Sequence, residues 1–201
     1  MILDYKNFKL KIEEGVYQPS DDSYLLSENL RVRDGDLVLE IGTGSGLISL
    51  IAAKIAKKVV ATDISPIAVE LARYNVGING LNEKVEIRQG NLFDPIQEGE
   101  KFDMILFNPP YLPESRKINK ENPVWIEKAW NGGESGREII DPFIQNCKNY
   151  LFQSGGVQMV QSSLSDISKT LTLFINLGFR VEIGTEKSLF FEKLVLVDAW
   201  L

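Results

Sequence analysis

Apolar residues along this chain fall in short runs whose spacing switches between strand and helix periods. Near the start, Phe8, Leu10 and Ile12 alternate with polar residues, which predicts a strand. Asp21, Asp22 or Ser23 then opens a helix with Leu25, Leu26, Leu30 and Val32 on one face. From residue 37 the pattern becomes regular: a strand over 37–41, a helix over 47–56 and a strand over 59–62. Ser65 is placed as an N-cap, with Pro66 at the first helical position, and this helix should stop near Gly77 or Gly80. Further strands are predicted at 85–88 and 104–107, followed by a helix over 137–151 and a strand over 156–161. A helix over 166–176 precedes two closing strands at 179–183 and 189–197, with residues 184–188 read as the turn between them.

Strands alternating with helices imply an α/β fold: a mostly parallel sheet covered on both faces, finished by an antiparallel hairpin. A chain of 201 residues suits a single domain, with 1–33 as an N-terminal extension and 34–201 as the core. The stretch 111–136 is long for a connection without structure, which points to a functional loop.

Composition removes several kinds of chemistry. The chain has no histidine, so Ser-His-Asp catalysis, Cys-His catalysis and histidine-ligated metal are ruled out. One cysteine, Cys147, allows neither an internal disulfide nor a cysteine metal cluster, and its helical spacing with Ile144 and Leu151 marks it as a core thiol. No metal site is expected. A net charge of −6 disfavours a protein that grips nucleic acid mainly through phosphates, although Arg116, Lys117 and Lys120 form a small basic group. No apolar run reaches the roughly 18 residues of a membrane span, and the first residues lack the order of a secretory signal, so a cytoplasmic location is expected.

Candidate chemistry collects at the predicted carboxyl ends of strands. Glu40-Ile41-Gly42-Thr43-Gly44-Ser45-Gly46 leads from a strand straight into a helix, a turn whose glycines let a ligand approach the backbone. Leu47 stands where a dinucleotide fingerprint needs glycine, and the phosphate-loop residues are absent. Asp63 follows about twenty residues after the first glycine, where an acid can bind a ribose. Asn91 ends the third strand of the series. Asn108-Pro109-Pro110-Tyr111 follows the next one, and each proline restricts the residue before it. The Asn108 side-chain oxygen and the Pro109 carbonyl are thereby available as two fixed acceptors for a planar nitrogen bearing two hydrogens.

These segments, in this order, resemble the motifs of class I S-adenosylmethionine-dependent methyltransferases, with a Rossmann-like sheet of about seven strands. Asn108 to Tyr111 looks like the motif of members that methylate planar nitrogens. Tyr17-Gln18-Pro19-Ser20-Asp21-Asp22-Ser23 is similar to the N-terminal flanking motif of the HemK family. Ala129-Trp130-Asn131-Gly132-Gly133 with Gly136-Arg137-Glu138 resembles a stretch of that family's archaeal and eukaryotic branch. The resemblance covers roughly residues 16–160 and implies methylation of the glutamine side-chain amide in the Gly-Gly-Gln loop of a class I translation termination factor.

It further implies that S-adenosylmethionine is held by Gly42 and Gly44 at its methionine part and by Asp63 at the ribose. Glu40 would sit at the turn, and Ser23 would cover the cofactor. Asn91 and Leu92 would face the adenine, the family usually carrying aspartate where Asn91 stands. Asn108 would border the cofactor as well, and together with Pro109, Pro110 and Tyr111 it would hold the acceptor, with Tyr111 packed on its flat face. Relatives in this branch often work with a small zinc-binding activator, for which the strand at 85–88 is the candidate edge. A nucleic-acid methyltransferase acting on adenine N6 or guanine N2 is the competing reading, and a non-catalytic cofactor-fold subunit is a third.

Overall fold

Val38 and Leu39 of β3 (Leu37–Ile41), Val59 and Val60 of β4 (Lys58–Asp63) and Ile105 and Leu106 of β6 (Phe102–Phe107) are all buried, consecutive pairs included. Runs without alternation belong to parallel strands covered on both faces. The computed structural model describes residues 1–114 and 125–201, so the basic group Arg116, Lys117 and Lys120 lies outside the described residues. Among the described residues the main sheet has seven strands, in the order β5-β4-β3-β6-β7-β9-β8. Its remaining members are β5 (Val85–Gln89), β7 (Leu151–Ser162), β8 (Arg180–Ser188) and β9 (Lys193–Trp200). Strands β3 to β7 pair in parallel, while β9 runs antiparallel between β7 and β8. The expected Rossmann-like sheet with a closing hairpin is present, and β5 lies at one edge of it.

Several helices start where the pattern put them. α1 is Asp21–Glu28, so Leu30 and Val32 follow it instead of lying on its face; α2 is Leu47–Ala52, shorter than the expected 47–56; and α3 is Pro66–Ile78. Ser65 caps α3, its hydroxyl accepting from the Ala68 amide at 3.3 Å. A short α4 (Trp125–Lys128) falls within the stretch read as a loop. α5 is Ile140–Cys147, shorter than the expected 137–151, and α6 is Ile167–Asn176. Arg137 does not begin α5 because its buried guanidinium is held elsewhere: it donates to the Ser165 and Asp166 carbonyls and pairs with Asp141 at 2.7 Å.

Two corrections concern hairpins. β1 (Ile2–Tyr5) pairs with β2 (Phe8–Lys11) around Lys6 and Asn7, both at positive φ. β1 is largely exposed and has no alternating signature, which is why only its partner was legible. At the other end, Gly184 lies inside β8, where the register with β9 shifts, and the turn falls four residues later between Ser188 and Lys193. A Cβ on Gly184 would overlap the Asp198 carboxylate, so this glycine serves close packing.

The N-terminal hairpin is fastened by two asparagines of α3 that imitate a neighbouring strand. Asn75 takes the Lys11 amide at 2.7 Å and donates to its carbonyl at 3.0 Å, and Asn79 does the same for Lys9. The segment after α1 is fixed to the opposite half of the sheet: Arg31 and Gln158 both donate to the buried Asp198, each at 2.7 Å. A buried carboxylate with two donors meets the requirement that buried charge be paired.

Candidate active site

The sheet order reverses between β3 and β6, and the crevice beyond such a switch point is where open α/β sheets bind ligands. Here the crevice is a cavity of about 450 Å³. Ser23, Glu40, Gly42, Gly44, Asp63, Asn91, Leu92, Asn108 and Pro110 all line it, so most of the residues singled out from the sequence share one space. Pro109 and Tyr111 are not among the lining residues.

The turn after β3 owes its shape to glycine. Gly44 has φ +56 and open space around the position a Cβ would take, whereas Gly46, at φ +85, packs directly on Ala72 of α3. The Gly44 amide donates to Asp63 Oδ2 at 2.8 Å and the Ser65 amide to Asp63 Oδ1 at 2.9 Å. Asp63 therefore closes one strand end onto the next. Burial raises its pKa, and these amides hold it down. Each carboxylate oxygen keeps acceptor capacity beyond one amide, enough for a diol in the cavity. On the inner side of the turn, Asn75 donates to the Ser45 carbonyl at 2.9 Å, tying the turn to the N-terminal hairpin.

Glu40 is buried beneath this turn. Its Oε2 accepts from Thr43 Oγ1 at 2.8 Å and from the Ser49 hydroxyl. Desolvation pushes its pKa up to about 7, against the opposing pull of those two hydroxyls. Leu92, at the end of the β5 connection, has φ +46, a left-handed conformation that branched apolar residues rarely take. This strained conformation, which falls at the cavity wall, leaves no mark in the sequence pattern.

Asn108 is the most informative member. Its Oδ1 is buried and has no hydrogen-bond partner among the described residues. Native interiors rarely leave such an acceptor unpaired, because the loss is on the order of 1–3 kcal/mol. Asn108 lines the cavity while this oxygen is itself closed off, so a donor from outside the chain would reach it only after a small turn of the side chain toward the cavity.

Tyr111 takes a different place from the one expected. Its ring is buried and its hydroxyl donates to Asp22 Oδ2 at 3.1 Å, so it does not line the acceptor side of the cavity. Tyr17, which does line it, donates to the same oxygen at 3.2 Å. The Ser23 amide occupies Oδ1 at 2.6 Å. Burial, and then the Asp22 charge, drives the Tyr111 pKa far upward, which keeps the phenol a donor. Asp22 thus fastens the segment over the cavity to the corner below it, and the reason is that a buried carboxylate gathers every nearby O–H.

The segment after α4 packs on that corner from the other side. The Leu112 amide donates to the Trp130 carbonyl at 3.1 Å, and the Gly132 amide donates to the Leu112 carbonyl at 2.9 Å. A Cβ on Gly132 would stand 2.7 Å from the Pro110 carbonyl, and one on Gly136 would overlap the Tyr111 carbonyl. Trp125, Lys128, Ala129 and Asn131 complete the cavity wall, and Gly15, Val16 and Pro19 add to the N-terminal side. Sequence reasoning placed these stretches near the site without assigning them to the wall. Cys147 is buried, with its thiol pKa pushed up to about 12, as expected of a structural residue. No group of metal-binding side chains occurs among the described residues, and none of their helices is long and apolar enough to cross a membrane.

A mostly parallel sheet of this order, with a glycine turn, an acid on the adjacent strand, a cavity at the switch point and an antiparallel closing hairpin, defines a class I methyltransferase fold. The family described as the methyltransferase small domain matches residues 8–182, and the chain belongs to that family. A Methanocaldococcus jannaschii protein, named provisionally as a protein N5-glutamine methyltransferase, is 45% identical over 204 residues, covering 100% of this chain and 99% of the relative. A release factor glutamine methyltransferase of Clostridium acetobutylicum is 31% identical, covering 92% of this chain and 67% of the relative. Among solved structures, the E. cuniculi Mtq2–Trm112 complex, described as responsible for methylating the eRF1 termination factor, matches with TM-score 0.71. Its identity is 23%, with 92% of this chain and 98% of that one covered, so this likeness concerns the fold.

Proposed function

We propose that this enzyme transfers a methyl group from S-adenosylmethionine to the side-chain amide of a glutamine in the Gly-Gly-Gln loop of a class I translation termination factor. The observation that carries the reading is Asn108 in the cavity wall, with a side-chain oxygen that no described residue partners. The names of the curated relatives support the same choice of acceptor.

The residues fit the cofactor. Asp63 would take the ribose hydroxyls, Gly42 and Gly44 would admit the methionine part, and Asn91 with Leu92 would border the adenine. Glu40 would steady the turn, and Ser23 would close the N-terminal side. When bound, the cofactor supplies a methyl group activated on a sulfonium.

The chain's own part is to make an amide nitrogen nucleophilic. That nitrogen shares its lone pair with the carbonyl, so it must be turned and its N–H bonds polarised. Asn108 would accept one N–H, orienting the lone pair in line and stabilising positive charge as it grows on nitrogen. Positioning with preorganised acceptors can lower a barrier by several kcal/mol without a proton-transfer side chain, which suits a chain with no histidine. Pro109 and Pro110 would stiffen the backbone on which Asn108 stands, and Tyr111 would lock the corner through Asp22. The Pro109 carbonyl would serve as the second acceptor only after a shift toward the cavity, since Pro109 lies outside its lining. The surplus proton would pass to water after transfer.

Residues 1–33 and 34–201 would act as one catalytic unit, with a small activator subunit pairing along the exposed edge of β5. Methyl transfer from labelled cofactor tests the reading: the purified termination factor should be labelled, and transfer RNA or DNA offered in its place should not be.

A further inference from the structure

Phe190 and Phe191 are the two most exposed large apolar side chains among the described residues, at 91% and 85%. They form the tip of the β8–β9 hairpin, closed by the Leu189 amide donating to the Glu192 carbonyl at 2.8 Å. Neither residue is a turn former, since such tips favour glycine, asparagine or aspartate. Neither is packed in the core. The rings hold each other edge-to-face, 4.6 Å apart and at 81°, which presents a preformed apolar knob at little entropic cost. Local backbone and core packing therefore leave this aromatic pair unexplained.

Its position is informative. Lys187 of the same hairpin pairs with Asp21 at 2.9 Å, beside the Asp22 that holds Tyr17 and Tyr111. The knob thus stands next to the N-terminal segment that walls the cavity. Two lysines flank it, Lys187 and Lys193, and each is already paired, with Asp21 and Glu186. With its cations neutralised and carboxylates around it, the surface is poorly suited to a phosphate backbone. An apolar protein surface suits it well, because exposed aromatics next to a site mark protein contacts.

We propose that the Phe190–Phe191 tip is a docking element for the folded protein substrate, seating on an apolar patch of the domain that presents the acceptor glutamine. This rests on the function proposed above and adds a second contact, away from the reacting amide. Short acceptor peptides would bypass the knob, whereas the intact protein would use it.

The test compares wild-type enzyme, with any subunit that copurifies, against the Phe190→Ser/Phe191→Ser double variant. Both side chains are solvent-exposed, so folding should be unaffected, and Phe190→Leu/Phe191→Leu serves as the conservative control. With the intact termination factor, KM should rise at least about tenfold with kcat nearly unchanged, and the leucine pair should restore most of the loss. Cofactor affinity by calorimetry and turnover of a short Gly-Gly-Gln peptide should match wild type. Unchanged KM for the intact factor would overturn the docking role while leaving the proposed function standing. So would a change confined to self-association in sedimentation, or to nucleic-acid affinity. Wild-type enzyme inactive on both factor and peptide would remove the proposed function, and this inference with it.

Discussion

The Tyr111 hydroxyl donates to Asp22 Oδ2 across 3.1 Å, joining two points 89 residues apart in the chain. One belongs to the corner that carries Asn108, the other to the helix that begins over the cavity. The corner and the helix are thereby linked directly. Tyr111→Phe should lower stability by about 1–2 kcal/mol, the usual loss when a buried acceptor gives up a partner. It should reduce kcat about tenfold through misplacement of Asn108, with cofactor affinity nearly unchanged. Urea unfolding and initial rates check both. A variant with wild-type kcat would show that the link has no part in positioning.

Asn108→Ala removes the unpaired acceptor itself. Turnover should vanish while cofactor affinity stays within about an order of magnitude, because its oxygen is assigned to the acceptor amide. Steady-state rates and calorimetry on the same preparation separate the two effects.

Asp63→Ala should do the opposite. Loss of hydrogen bonds to a charged acceptor is expected to weaken cofactor binding by about 2–3 kcal/mol, or roughly 30- to 150-fold. Unchanged affinity by calorimetry would rule out the ribose role.

Gly136 tests the packing beneath the corner. Its φ is +73 and a Cβ would overlap the Tyr111 carbonyl. Gly136→Ala should therefore displace residues 110–113, with strain of at least about 1–2 kcal/mol and a marked fall in kcat. The unfolding midpoint and the rate on the intact factor report the two effects.

Glu40 should give ligand-free stability a pH dependence. Its folded pKa is raised to about 7, above the roughly 4.3 of an unfolded glutamate. The folded state holds the extra proton between those values, so the stabilisation is present below the lower one and is lost as pH rises through the upper. Across that window wild type should lose on the order of 3 kcal/mol relative to Glu40→Gln. Denaturant unfolding at several pH values measures this, and parallel profiles for the two proteins would contradict it.

Much of this was legible because parallel strands bury both faces. Val38, Leu39, Ile105 and Leu106 announce themselves as runs, and Ser65-Pro66 announces a helix start. Strand ends then located Gly42, Asp63, Asn91 and Asn108 at the carboxyl ends of four neighbouring strands. What escaped has physical reasons. β1 is exposed and carries no period, and Gly184 reads as a turn when it is the only residue that fits beside Asp198. Two phenylalanines at a true turn run against turn chemistry. The Tyr111 bond to Asp22 could not be read in advance, because a carboxylate 89 residues away leaves no local mark.

The most direct measurement is mass spectrometry of the purified termination factor after incubation with enzyme and S-adenosylmethionine, with the modified residue mapped. A single added methyl group on the glutamine of the Gly-Gly-Gln loop, absent with Asn108→Ala, is the predicted result. No modification by wild type, modification of another residue, or full modification by the alanine variant would contradict the account.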